Sequence, residues 1–60
     1  MINRFDKYGK RIKVGDTLKH FGGSICSVVF NPELIAIGIV DEDGEFDFMS
    51  EWVAEEWEII

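Results

Sequence analysis

Cysteine is nearly absent from this 60-residue chain: Cys26 stands alone. No intrachain disulfide can form, which excludes the cross-linked framework of a small secreted protein and suits a reducing cytoplasm. Histidine also occurs once, at His20, so a metal site built on paired His or Cys spacing has no ligands to draw on. Long apolar runs are missing. The opening Met1-Ile2-Asn3-Arg4-Phe5-Asp6 holds no signal-peptide core, and nowhere do about 18 uncharged apolar residues follow one another, so neither export nor membrane spanning is expected. Proline appears only as Pro32, and Lys and Arg vanish after residue 19.

What is present is apolar for so short a chain. Hydrophobic residues make up 47% of the sequence, with five Phe, two Trp and one Tyr, enough for one small core and no second. Disorder is excluded on the same ground, despite 30% charged residues. The charge is split along the chain. Residues 1–20 carry all six cations (Arg4, Lys7, Lys10, Arg11, Lys13, Lys19) against Asp6 and Asp16, a net of +4, whereas residues 21–60 hold ten acids and no Lys or Arg, a net of −10. A closed fold that sets the halves side by side lets them neutralise one another in part. The remaining acidic surface would face a basic partner.

Turn signals divide the chain into short strands. Asp6-Lys7-Tyr8-Gly9-Lys10 has the composition of a turn, Arg11-Ile12-Lys13-Val14 alternates polar and apolar, and Gly15-Asp16 punctuates again. Thr17 to Phe21 and Ser24 to Phe30 read as a hairpin. A three-residue loop Gly22-Gly23-Ser24 would pair Phe21 with Ile25, His20 with Cys26 and Leu18 with Val28. After the Asn31-Pro32-Glu33 turn comes a strand from Leu34 to Val40 that is apolar on both faces, then the turn Asp41-Glu42-Asp43-Gly44 and the alternating Glu45-Phe46-Asp47-Phe48, both Phe inward and both acids outward. The spacing near the C-terminus predicts a helical turn over Ser50 to Val53 and a short closing strand. The fold class is therefore mostly β: a single domain over residues 1–60, a five-stranded SH3-like barrel with one short helical turn near the C-terminus.

The segment from Asp6 to Lys19, DKYGKRIKVGDTLK, resembles the opening of YopX-like phage and prophage proteins, whose pattern is roughly D-x-x-G-K-x-I-x-x-G-D-x-x-K. Val28-Val29-Phe30, Phe46-Asp47-Phe48 and the ending Glu56 to Ile60 follow in the family's order. The chain departs from it in being shorter and in carrying Asn31-Pro32-Glu33 where an Asp-Gly type turn is expected. The resemblance implies a small SH3-like barrel encoded by a phage, prophage or plasmid, acting in a bacterial cytoplasm, with no established activity. It supplies no site residues.

No constellation of residues points to catalysis, and the chain is expected not to be an enzyme. Gly22-Gly23 lacks the Lys-Ser/Thr sequel of a phosphate loop. Asp41, Asp43 and Glu45 alternate like ligands of a hard cation, but Gly44 is misplaced for a Ca²⁺ loop, so a solvated acidic turn is the expectation and no metal or cofactor is assigned. A Cys26–His20 dyad would need an open cleft and an oxyanion site; Cys26 instead reads as a small core hydrophobe. The residues left for interaction are Trp52 and Trp57, which with Tyr8 are aromatic enough for a cage or groove although core packing is the commoner role of such residues, and the acids Glu55, Glu56 and Glu58 beside them. The leading expectation is an accessory protein that binds an unidentified protein partner. The alternatives are an acidic nucleic-acid mimic that blocks a host defence or replication protein, and a direct nucleic-acid binder using the basic N-terminal segment. The second ranks low because the acidic remainder repels phosphate. The doubly apolar strand adds an expectation of a homodimer or higher homo-oligomer through Leu34, Ala36, Gly38 and Val40.

Overall fold

Two of the three hairpins close on a glycine in the left-handed region. In the computed structural model, which describes residues 2–60 apart from the side chain of Glu51, β1 (Thr17–His20) turns into β2 (Ile25–Asn31) through Phe21, Gly22 and Gly23. The N–H of His20 donates to the Ser24 carbonyl and that of Gly23 to the His20 carbonyl, both at 2.8 Å, and Gly23 has a φ of 101°. β3 (Ala36–Asp41) turns into β4 (Phe46–Phe48) by the same pattern: Asp41 N–H to Glu45 O, Gly44 N–H to Asp41 O, and Gly44 at a φ of 86°. A three-residue loop of this kind is a type I turn followed by a left-handed residue, a position glycine takes without steric cost.

That requirement corrects the first hairpin. Leu18 pairs with Cys26 and Thr17 with Ser27, two residues from the expected pairing, because a Gly22-Gly23-Ser24 loop would have put Ser24 in the left-handed position. A shift of two preserves the faces of the strands but moves Phe21 out of β1 and into the turn. The β2–β3 connection is longer than expected as well. Asn31 pairs with Ala36, and its Oδ1 accepts the N–H groups of Glu33 and Leu34 at 2.9 and 3.1 Å, so the turn takes in Leu34 and Ile35 and β3 starts two residues later.

The strand order is β4-β3-β2-β1-β5, antiparallel throughout, with β5 (Trp57–Ile59) returning to pair with β1. The helical turn expected near Ser50 is a 3-10 turn, Met49–Glu51, and a second, Ala54–Glu56, leads into β5. The fold is thus mostly β, as expected, with five antiparallel strands in one sheet and short 3-10 turns near the C-terminus. No helix among the described residues is long and apolar enough to cross a membrane. Arg11 to Val14 forms no strand, only an isolated bridge between Phe5 and Arg11, yet Ile12 is 1% exposed. Ile12, Leu18 and Val28 form the centre of a core completed by Ile2, Cys26, Ile39, Met49 and Ala54. Each large side chain buried there contributes about 1.5–3 kcal/mol.

Phe46 and Phe48 do not face this core. Val40 pairs with Phe46 and Gly38 with Phe48, while the buried Ile39 pairs with Asp47, which puts both rings on the opposite face of the sheet, 5.4 Å apart and edge-on. The second apolar face of β3 explains the inversion. Phe46 lies against the Cα of Gly38, where a Cβ would meet its ring and the Asp47 carbonyl, so an aromatic ring from the next strand covers that face.

Asp6 holds the ends of the chain together. It is 4% exposed; its Oδ1 accepts the N–H groups of Tyr8 and Lys10 at 2.9 and 2.8 Å, and its Oδ2 accepts that of Ile59 at 3.1 Å. In the same segment Asp16 Oδ2 accepts the Lys13 N–H at 2.8 Å and Gly15 stands at a φ of 99°.

Candidate functional site

The β1–β5 ladder sets His20 opposite Trp57, residues far apart in sequence. Around that pair runs a row of four rings: Phe21 to His20 at 4.1 Å between centroids, His20 to Trp57 at 5.0 Å, and Trp57 to Trp52 at 4.9 Å. Trp52 reaches the row from the link between the two 3-10 turns, where the fully buried Ala54 anchors the second turn to the core. The row borders a shallow groove of about 420 Å³ lined by His20, Ser24, Trp52, Val53, Glu56 and Trp57.

Polar contacts fix the groove's edges. The Gly22 N–H donates to His20 Nδ1 at 3.1 Å, so the imidazole proton sits on Nε2, which donates to Glu56 Oε1 at 3.0 Å. The ring is thus held in one tautomer between a turn amide and a carboxylate. Outside the groove, Glu42 Oε1 accepts the Ile25 N–H at 3.3 Å, which ties the acidic β3–β4 turn to the start of β2. Among the described residues no Lys or Arg lines the groove.

The structure brings together Trp52, Trp57 and Glu56, and separates the other two acids from them. Glu55 approaches Arg4 at 3.9 Å, and Glu58 pairs across strands with Lys19, on the face of β5 opposite Trp57. Each of the three acids therefore meets the N-terminal half of the chain, a side-by-side arrangement of the two charge halves. Of the residues considered for self-association, Ala36, Gly38 and Val40 share a face of β3, whereas Leu34 sits in the preceding turn, 52% exposed. A second copy docking on that face would meet the Phe46 and Phe48 rings rather than the glycine backbone.

Cys26 is buried and pairs with Leu18 and Asp41, while His20 is bonded to Glu56, so no Cys–His pair is assembled. Burial, with the Asp41 charge adding to it, pushes the Cys26 thiol up to about 11, far from the range of a reactive thiolate. In the acidic turn Asp41 Oδ1 accepts the N–H groups of Asp43 and Glu45 at 2.9 and 3.0 Å, which makes that carboxylate a turn-former. Among the described residues no three His, Cys, Asp or Glu side chains converge on a metal position. Two of the N-terminal cations bond to the backbone, Arg4 to the carbonyls of Ser50 and Trp52 and Arg11 to that of Ile2, while Lys7, Lys10, Lys13 and Lys19 are exposed.

The chain matches no protein family, no curated protein and no solved structure. The groove rests on its own geometry. Sequence reading found its tryptophans but not His20 and Phe21 as their neighbours, because no local pattern announces which strand the last one will join.

Proposed function

We propose that this protein is a binding module that recognises another protein through the groove along Phe21, His20, Trp57 and Trp52, and that it acts as a small accessory protein of the phage or plasmid type its resemblance to YopX-like proteins suggests. The observation that carries the reading is Phe21. It is 78% exposed, stacks on His20 and extends the row of rings into solvent, so it contributes little to the core while enlarging an apolar contact surface. Acidic mimicry is not preferred, since Glu55, Glu56 and Glu58 do not form one row. Direct nucleic-acid binding is not preferred: Arg4 and Arg11 donate to backbone carbonyls, and the exposed Lys7, Lys10 and Lys13 are set against a net charge of −6 that repels phosphate.

The test is capture from bacterial lysate with the wild type and with Phe21→Ser and Val53→Asp, two exposed positions where substitution spares the core. A partner bound by the wild type and lost from both variants supports the reading. Equal capture by the variants, or no protein recovered at any salt concentration, overturns it.

A further inference from the structure

We infer that the groove receives an arginine side chain carried on a basic peptide segment. The inference rests on the protein-binding reading above and names the chemistry of the partner. Three observations converge on it. Trp52 and Trp57 are half-buried, leaving part of each indole open to the groove, and their rings are tilted by 43° at 4.9 Å, so they offer electron-rich faces on which a flat cation stacks. An acid stands at the groove's edge, Glu56 on the second 3-10 turn. The third is a lack of competition among the lining residues. Glu56 accepts from an imidazole nitrogen through Oε1, which leaves its second oxygen for a guanidinium, and no lining Lys or Arg fills the place. Arginine fits better than lysine because its planar guanidinium stacks on indole and donates to a carboxylate at once, whereas an ammonium is a compact, strongly hydrated charge. The net charge of −6 favours approach of such a segment over an acidic or phosphorylated one.

The chain has only two tryptophans and both line the groove, so their indole N–H resonances report on it alone. The protein is titrated in low salt with a Gly/Ser peptide carrying spaced arginines, with its lysine counterpart, and with a counterpart in which citrulline replaces arginine, keeping the planar shape but removing the charge and one nitrogen donor group. The arginine peptide is expected to shift both indole signals saturably, with citrulline weaker by roughly tenfold and lysine in between. Glu56→Gln keeps the acceptor for His20, so it should leave the melting temperature unchanged and weaken the arginine peptide by about three- to tenfold. Equal binding of arginine and citrulline peptides, or no indole shift at millimolar peptide, overturns the inference. If the arginine peptide fails while Phe21→Ser still abolishes capture from lysate, this inference falls alone; if Phe21→Ser leaves capture intact, the broader reading falls with it.

Discussion

Asp6 accepts three backbone N–H groups drawn from the two ends of the chain, and its titration follows from that. Burial works against the ionised form, but the bonds from Lys10, Ile59 and Tyr8, with the charge of Lys10, outweigh it and hold the carboxyl below its ordinary range. A depressed folded-state pKa gives stability that is present above about pH 4, where the unfolded carboxylate is also ionised, and is lost as pH falls through the folded value. Asp6→Asn sets an amide donor against at least one of those N–H groups. It should cost about 2–4 kcal/mol in urea unfolding at pH 7 and flatten the acid limb of the stability curve. Cys26 sets the alkaline limb. With its thiol raised to about 11, the unfolded chain releases that proton first between roughly pH 9 and 11, so stability falls as pH rises across that window, and Cys26→Ala should remove that slope while costing some packing. A slope unchanged in the alanine variant would assign it to another group.

Among the elements, the turns were the most legible part of the sequence. Gly44 announced the β3–β4 loop correctly, and the same rule, applied strictly, would have chosen Phe21-Gly22-Gly23 over Gly22-Gly23-Ser24. Less legible was Ile35, whose φ of 50° puts a β-branched side chain in the left-handed region while it stays 80% exposed. Nothing in composition predicts that, since the Asn31 side-chain bonds that fix the turn set the backbone before Ile35 is reached. Replacing Ile35 with Asn or Gly should raise stability by about 0.5–1 kcal/mol, and a melting temperature that drops instead would mean the side chain is held by packing. Strand alternation misled at Phe46 and Phe48, because β3 is apolar on both faces and period-two patterning cannot say which face the rings must cover. Gly38→Ala checks the arrangement: a Cβ there runs into Phe46 and the Asp47 carbonyl, and the variant should lose roughly 1–3 kcal/mol in a denaturant titration.

For the whole molecule, the two charge halves meet at Arg4 near Glu55 and at Lys19 opposite Glu58, and the aromatic row became visible only once the last strand joined the first. The covering of Gly38 by Phe46 within one chain weakens the case for a second copy packed on the glycine backbone. Sedimentation equilibrium at micromolar concentration should return the chain mass of 6.9 kDa, and a concentration-dependent increase would restore self-association. The place of β1 in the sheet has a further consequence for how the protein is made. Its two neighbours are β2, which follows at once, and β5, which is translated about forty residues later, while the Asp6 carboxylate waits for the N–H of Ile59. At roughly 5–20 residues per second, a nascent chain on the ribosome carries an unpaired β1 edge and an Asp6 Oδ2 open to water for some seconds. The fold then closes in a final step, when the C-terminal strand leaves the exit tunnel.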